Sequence, residues 1–306
     1  MSQPQVVVGI DGSATAQAAM LWAAAEAARR HAELLVVHAG DAEPGVPPAP
    51  DVPTAYGRSL VAEAAATVYE TGFDGPVRTV IVAENPVHLL TRLSEQSDLV
   101  VVGSHGLGRG AGALLGSVAF RVAAHARCPV TVVPSGWDEG SALGRPVVVG
   151  VPASVAARSP LYVAFAQARA RGVPVRAVRT WSRTDWTGEL VDVVYATSPA
   201  FEAKQQEYVD RMLAPVREVY PDVPVQTVLS GQRIDDLLLH ETDTGALLVV
   251  GTRFADGHTY SRLGPTTARL VHRAHCPVLV VGRTTWRAVP ELAVAGGRQP
   301  EPSGNR

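Results

Sequence analysis

The chain contains a repeat whose period is about half the chain length, and this repeat limits the available folds more than any other feature. Three segments recur in matching order: LVVVGSHG at 99–106 with LLVVGTRF at 247–254, ARCPVTVVP at 126–134 with AHCPVLVVG at 274–282, and VVVG at 6–9 with VVVG at 147–150. The first two pairs are offset by 148 residues and the third by 141, so about seven extra residues lie inside the second copy, near 182–200. Such a long period excludes a solenoid repeat and predicts a duplicated globular domain.

Length and composition agree with two such domains. The chain of 306 residues is long enough for two cores, and 46% hydrophobic with 18% charged residues is typical of globular proteins. We predict a first domain over 1–135, a second over 146–283 and a disordered tail over 284–306. The polar, Gly-rich stretch SGWDEGSALGR at 135–145 predicts the linker between the domains.

Charge and targeting features argue against several classes of partner. A formal net charge of −2 gives no general attraction to nucleic acid or to an anionic membrane. No apolar run approaches the ~18 residues of a membrane span, and the first residues lack the basic and apolar parts of a signal peptide. We therefore expect a cytoplasmic protein with no nucleic-acid or membrane partner.

The two cysteines, Cys128 and Cys276, occupy matching positions in the two copies. One such residue per copy predicts a small buried core side chain rather than half of a disulfide. A structural zinc site would need four closely spaced ligands, and the sequence offers no such set.

Short apolar runs alternate with helical patterns in the first copy. Predicted strands cover 5–10, 34–39, 77–82, 98–102 and 130–133, and predicted helices cover 14–31, 58–71, 87–96 and 117–126. Ser13 is suited to cap the first helix, and Asn85-Pro86 is suited to open the third. This order predicts, for each copy, a Rossmann-like α/β domain with a five-stranded parallel sheet and helices on both faces.

The carboxyl ends of the predicted strands are where a ligand would bind, at the point where the strand order reverses. Asp11 and Gly103–Gly106 follow strands one and four, and His38–Ala39 end strand two. Judged from its local sequence, Asp11 could equally be a turn or helix-capping carboxylate. His38 and His105 suggest catalysis, but a histidine after a strand is more often a hydrogen-bonded structural residue.

A glycine-rich loop carries the strongest chemical signal. Residues 103–117 read GSHGLGRGAGALLGS and fit the pattern G-x2-G-x9-G-S. Glycines allow backbone N–H groups to approach an anion, and Gly116-Ser117 opens a helix whose N-terminus favours negative charge. The Ser117 hydroxyl can donate a further hydrogen bond, and Arg109 can reach a terminal phosphate.

Other interpretations of this loop remain. It could be a flexible connection without a ligand. Residues 106–111 also fit the dinucleotide pattern G-x-G-x-x-[GA], but that motif should open a helix at once after the first strand. A Walker A loop would need Gly-Lys-[Ser/Thr], and the first copy contains no lysine.

Together, the loop, the opening strand VVVGIDGS, the second strand ending in His38-Ala39 and the closing ARCPVTVV resemble the universal stress protein family. The resemblance covers about 5–135 and 146–283, and the tandem arrangement is similar to that of many actinobacterial members. It implies an adenine nucleotide alpha hydrolase-like fold that binds ATP, with Mg²⁺ accompanying the nucleotide. The family tends to dimerise through the last strand, so 130–133 and 278–281 are expected to pair the two halves, and a homodimer is also possible.

The resemblance also implies the residues that bind ATP. Asp11, beside Ile10, would contact the adenosine moiety, and the backbone of Ala39 would meet the adenine edge. Gly103 and Gly106 would pass under the ribose and phosphates. The phosphates would be held by the backbone N–H groups of Gly116, Ser117 and Val118, with Arg109 within reach.

The second copy departs from this pattern. Pro152 stands where the first copy has Asp11, Phe254 replaces the second glycine, and Pro265 replaces the serine and lacks an N–H. Gly251 and Gly264 survive. We predict a domain that keeps the fold and binds nucleotide poorly.

The favoured function is a nucleotide-binding regulatory protein of the stress response, with one ATP in the first domain. The alternatives are a slow ATPase or nucleotidyl-transfer enzyme on the same fold, and a dimerisation module that binds no nucleotide. The sequence favours binding over catalysis, because it shows no paired carboxylates and no Cys-His or Ser-His pair at a readable spacing.

Overall fold

The computed structural model describes residues 3–39, 55–106, 116–181, 199–252 and 263–282. These residues form ten strands: β1 (Gln5–Ile10), β2 (Glu33–Ala39), β3 (Val77–Val82), β4 (Leu99–Gly103), β5 (Val130–Val133), β6 (Val147–Gly150), β7 (Val175–Thr180), β8 (Val225–Ser230), β9 (Leu247–Gly251) and β10 (Val278–Val281). They also form eight α-helices: α1 (Ala14–Arg30), α2 (Ala55–Glu70), α3 (Pro86–Leu93), α4 (Ser117–His125), α5 (Ser159–Arg171), α6 (Pro199–Val219), α7 (Ile234–Glu241) and α8 (Pro265–Arg273).

Local sequence signals set the helix boundaries in the first half. The Ser13 hydroxyl caps α1 by accepting the N–H of Ala16 at 3.2 Å, and Asn85 caps α3 by accepting the N–H of Val87 at 3.0 Å. α1 ends where His31 adopts a left-handed conformation, with φ 49°. The third helix ends at Leu93, earlier than predicted, and Ser94 follows as its C-cap.

All ten strands belong to one sheet, in the order β3-β2-β1-β4-β5-β10-β9-β6-β7-β8. Every neighbouring pair is parallel except β5 and β10, which are antiparallel with Val132 opposite Val278 and Val130 opposite Val280. Two five-stranded parallel sheets are thus fused through their last strands. The predicted pairing of the two halves within one chain is confirmed.

Helices cover both faces of the sheet and form two cores that continue through both halves. One core contains the large side chains of Trp22 and Phe165, and the other those of Leu90 and Leu270. The inner strands, such as β4 and β9, are buried on both faces and can be apolar throughout. Cys128 and Cys276 are buried with free thiols, and burial raises the pKa of each to about 12.

The register of the strands locates the extra residues of the second copy. Val147 lies opposite Val175 as Val6 lies opposite Leu34, so the offset is still 141 in β7. It becomes 148 in β8, because Val225 occupies the position of Val77. The insertion therefore lies between β7 and β8. Its predicted location, 182–200, falls outside the described residues except for the start of α6, and the predicted tail at 284–306 lies outside them entirely.

A buried ion cluster joins α1 to α5 on one face of the sheet. The Glu26 carboxylate is 1% exposed and accepts hydrogen bonds from Arg30 at 2.6 Å, Gln167 at 2.7 Å and Arg171 at 2.9 Å. Burial alone would raise the pKa of Glu26, but the positive charges of Arg171 and Arg30 and the Gln167 hydrogen bond offset it and lower the pKa to about 2.

The cluster lies where equivalent positions of the two halves meet. At the offset of 141, Gln167 corresponds to Glu26 and Arg171 to Arg30. If both central positions were glutamate, two buried carboxylates would face each other and repel. The amide of Gln167 instead donates a hydrogen bond to Glu26. The contact therefore depends on the two halves having different residues at this position.

Replacing Glu26 by glutamine should lower the free energy of unfolding by roughly 3–5 kcal/mol at neutral pH, because it leaves the buried Arg171 without its carboxylate. The folded-state pKa of about 2 lies below the ordinary 4.5, so the stabilisation is complete above pH 4.5 and is lost as the pH falls towards 2. The free energies of unfolding of the wild type and E26Q, measured with urea, should therefore become equal as the pH is lowered towards 2. E63Q, which changes an exposed glutamate of α2, serves as the control; equal effects of E63Q and E26Q would contradict the assignment.

Candidate functional site

A cavity of about 240 Å³ opens at the carboxyl edge of the first half, where β1 and β4 are neighbours and the strand order reverses. It collects eight of the nine residues that the sequence predicts for the ligand: Ile10, Asp11, Ala39, Gly103, Gly106, Gly116, Ser117 and Val118. The ninth, Arg109, lies outside the described residues. Segments far apart in the chain are thus brought to one place by the topology.

Asp11 lies directly after β1 and is held by the turn that leads into α1. Its Oδ1 accepts the N–H of Ser13 at 3.0 Å, and its backbone carbonyl accepts the Tyr56 hydroxyl at 3.4 Å. The carboxylate is half-buried and lines the cavity. Asp11 therefore acts as a turn residue through one oxygen while its side chain also borders the cavity, so the two interpretations of this residue are compatible.

The two ends of the glycine loop are tied together at the cavity. The N–H of Gly116 donates to the carbonyl of Ser104 at 2.8 Å, and the hydroxyl of Thr15 donates to the carbonyl of His105. Residues 107–115 of the loop lie outside the described residues. Thr15 is a positioning residue that the sequence analysis missed, although a hydroxyl in the first turn of α1 was the available signal.

Close contacts explain why two of the loop positions are glycine. A Cβ at position 103 would lie 2.7 Å from the carbonyl carbon of Thr15, and a Cβ at position 106 would lie 2.5 Å from Oδ2 of Asp11. Any side chain at 103 would push α1 away from β4. A side chain at 106 would occupy the space beside the carboxylate.

The N-terminus of α4 faces the cavity without a side-chain cap. Gly116 is its N-cap and makes no side-chain hydrogen bond, and Ser117, Val118 and Ala119 line the cavity. The first N–H groups of a helix have no partners within the helix and carry partial positive charge. This end of the cavity is therefore suited to an anion.

The part of the cavity lining that comes from β2 and α3 is apolar, and we call this part the slot. It is lined by Val37 and Ala39 from β2 and by Pro86 and Leu90 from α3. Sequence reasoning did not assign Pro86 and Leu90 to the site, although Asn85-Pro86 marked the start of the helix that carries them. One cavity thus combines an apolar slot with a glycine-lined anion site, which suits a ligand with a flat apolar part and an anionic part.

The two histidines that suggest catalysis in the sequence, His38 and His105, differ in their environment. His38 is buried, and its Nδ1 donates to the carbonyl of Ile10 at 2.9 Å, which links β2 to β1. His105 lines the cavity, and its Nδ1 lies 2.8 Å from the Ser104 hydroxyl. His38 is therefore a hydrogen-bonded structural residue near the end of β2.

The equivalent region of the second half is altered in the described residues. Pro152 replaces the carboxylate, and Pro265 begins α8 without an N–H to donate. The hydroxyl of Thr267 donates to the carbonyl of Gly251 at 3.0 Å, at the position where the first half has Ala119. Phe254 lies outside the described residues. The second half thus lacks two of the groups that the sequence predicts for the ligand, and it has an additional hydroxyl side chain in the first turn of α8.

The described residues lack both a cluster of metal-binding side chains and a helix suited to a membrane. They contain no group of three or more His, Cys, Asp or Glu side chains placed to hold a metal ion. Among the helices they form, none has both the length and the apolar character needed to cross a bilayer.

Comparison with known proteins agrees with the two-part architecture. The model of the universal stress protein family matches residues 4–134 and 144–282. The chain is 35% identical over 300 residues to universal stress protein Rv2005c of Mycobacterium tuberculosis (strain ATCC 25618 / H37Rv), covering 92% of this chain and 99% of that protein. Universal stress protein Rv2623 of the same strain is 33% identical over 292 residues, with 90% and 95% covered.

A solved structure shares the fold over nearly the whole chain. The universal stress protein from Archaeoglobus fulgidus DSM 4304 superimposes with a TM-score of 0.63 at 15% identity, covering 92% of this chain and 100% of that one. The family model accounts for one match in each half and for most of the chain. The chain belongs to the universal stress protein family, in its tandem form.

Proposed function

We propose that the first half binds one ATP as a regulatory ligand of a stress-response protein. The observation that carries this proposal is the division of the cavity between an apolar slot beside β2 and the uncapped N-terminus of α4. Adenine would lie in the slot, beside the backbone of Ala39, and the phosphates would accept N–H groups at Gly116–Val118. Asp11, next to Ile10, would contact the adenosine, and Gly103 and Gly106 would pass beneath the ribose and phosphates. Arg109 completes the proposed set.

Magnesium would enter with the nucleotide. Asp11 is the one carboxylate among the described residues that line the cavity, and it already accepts the Ser13 N–H. A single carboxylate and the phosphates of the nucleotide can share a hydrated Mg²⁺, as is usual for this ion. The chain would therefore bind the Mg²⁺–ATP complex rather than the metal alone.

The surroundings of the cavity favour binding over hydrolysis. Hydrolysis needs a group that orients or deprotonates a water beside the terminal phosphate. Of the described lining residues, only Asp11 and His105 could serve, and both are engaged in hydrogen bonds at the base of the loop. ATP would instead change the stability or assembly of the protein, because it binds the folded state. A cytoplasmic location fits such a ligand.

Assembly beyond one chain would use a surface other than the last strand. The edge of β5 is already paired with β10. A homodimer, which is part of the proposal, would therefore form through another face.

Removing either Asp11 or the space beside it should weaken ATP binding. We expect D11A and G106V each to raise the Kd for Mg²⁺–ATP about tenfold or more. D11A removes a charged hydrogen-bond acceptor for the nucleotide, and G106V fills the space beside the Asp11 carboxylate. Calorimetric titration of the full chain measures this. D222A, which changes an exposed carboxylate of the second half, is the control. Unchanged affinity in both folded variants would exclude the site.

A proline at position 117 should abolish binding without unfolding the protein. Position 117 is the first residue of α4, where proline is tolerated, and Gly116 before it already has φ −58° and ψ 136°. S117P removes one phosphate-binding N–H and reproduces Pro265 of the second half. S117A, which keeps the N–H, is the matched control and should retain most of the affinity.

The same titrations report stoichiometry. Wild type and S117A should bind one nucleotide per chain, and folded S117P should bind none. Two equivalent sites in the wild type would show that the second half also binds nucleotide. Full binding by S117P would show that the N–H groups of α4 do not hold the phosphates.

ATP turnover should be slow. We expect steady-state phosphate release well below about one per second, the low end of typical enzyme rates, together with a higher melting temperature in saturating ATP. Turnover at or above one per second that a single substitution in the loop abolishes would instead make the protein an enzyme.

A further inference from the structure

Three arginines converge at the carboxyl edge of the second half, away from the first-half cavity. Arg158 precedes α5, Arg179 lies near the end of β7, and Arg211 lies on α6. The guanidinium carbons of Arg179 and Arg211 lie 4.7 Å and 5.4 Å from the centroid of the Tyr208 ring. Arg158 reaches the backbone carbonyl of Arg211, with Nη2 at 3.5 Å. We refer to these four side chains as the arginine cluster.

The cluster is held in place by neutral groups. The Tyr208 hydroxyl donates to the carbonyl of Pro152 at 3.0 Å, which fixes the ring at the end of β6. Arg179 Nε donates to the side-chain oxygen of the buried Gln205 at 3.4 Å. The cation–π contacts order the guanidiniums but supply no negative charge.

No carboxylate among the described residues forms an ion pair with Arg158, Arg179 or Arg211. Asp210, the neighbour of Arg211 in the chain, instead contacts Arg217 at 3.5 Å. The Nε of Arg158 is buried and has no hydrogen-bond partner in the described structure. Like charges held together and a buried donor left unpaired are both unfavourable unless an anion binds between them.

The first half has no such cluster at the equivalent positions. At offsets of 141 and 148, the four residues correspond to Gln17, His38, Leu60 and Glu63. An acidic residue is thus replaced by Arg211, and two neutral or weakly basic residues by arginine. The shared fold does not require these charges, since the first half forms the same helices and strands without them.

We propose that the arginine cluster binds a small molecule that carries adjacent phosphate groups. Guanidinium groups match phosphate oxygens with paired hydrogen bonds. Two guanidiniums lie on the Tyr208 ring, and that of Arg158 lies beside the backbone of Arg211. Three positive charges favour a multiply charged anion over a single carboxylate. The site lies on the α5–α6 side of β6 and β7, so it is separate from the proposed ATP site and does not depend on it.

Tripolyphosphate is a suitable probe, because it carries adjacent phosphates without a nucleoside. Calorimetric titration of the full chain at about 0.15 M salt should show saturable binding. R179Q and R211Q should each weaken it about tenfold or more. R217Q, which removes an exposed arginine from the same helix outside the cluster, should leave it unchanged.

The S117P background separates this site from the first half. Binding that persists in S117P and is lost in S117P with R211Q supports the proposal. Absence of saturable binding in the wild type and S117P would overturn the proposal. Equal weakening by R217Q and R211Q would also overturn it, because the effect would then be one of general surface charge. Arg211 is exposed, so R211Q gives a valid result even if R179Q, which removes a stacked side chain, fails to fold.

Discussion

The antiparallel pairing of β5 with β10 is the interaction on which the rest of this structure depends. Alone, each half would end in a four-residue strand that is buried in the fused sheet and would expose an apolar edge. Because the partner strand comes from the same chain, that edge is covered at any protein concentration. The two halves then share their cores, and equivalent positions can specialise. Glu26 and Gln167 illustrate this, since a carboxylate and an amide form a direct hydrogen bond where two carboxylates would repel.

Because the pairing of β5 with β10 holds the two halves together, the halves can have different roles. The second half can serve as the partner that completes the sheet without keeping a ligand site, and its edge has changed accordingly at Pro152 and Pro265. The first half keeps a carboxylate, close-packed glycines and an uncapped helix N-terminus around one cavity. The positive charges around Tyr208 appear in the half where these features were lost. The two proposals are physically compatible, because the arginine cluster and the cavity around Asp11 lie in different halves of the chain.

Most of the fold could be predicted from the sequence, because strands buried on both faces are continuous apolar runs and helix caps such as Ser13 and Asn85 are local signals. The union of the two sheets was also foreseeable, since an apolar last strand needs a cover. Features of the site that arise from tertiary contact were harder to predict. The Thr15 hydroxyl and the helix start at Asn85-Pro86 are visible in the sequence, but the contacts that bring Thr15 to the carbonyl of His105 and Leu90 to the slot are not. The arginine cluster was missed for the same reason, because its members come from separate elements.

The proposed function places a nucleotide between the β2 slot and the N-terminus of α4 in the first half, and none in the second half. Crystals grown with Mg²⁺ and a non-hydrolysable ATP analogue test it most directly. We expect adenine beside Ala39, phosphates within hydrogen-bond distance of the N–H groups at Gly116–Val118, and no nucleotide beside Gly251. A nucleotide beside Gly251, or phosphates that point away from α4 in the first half, would contradict it.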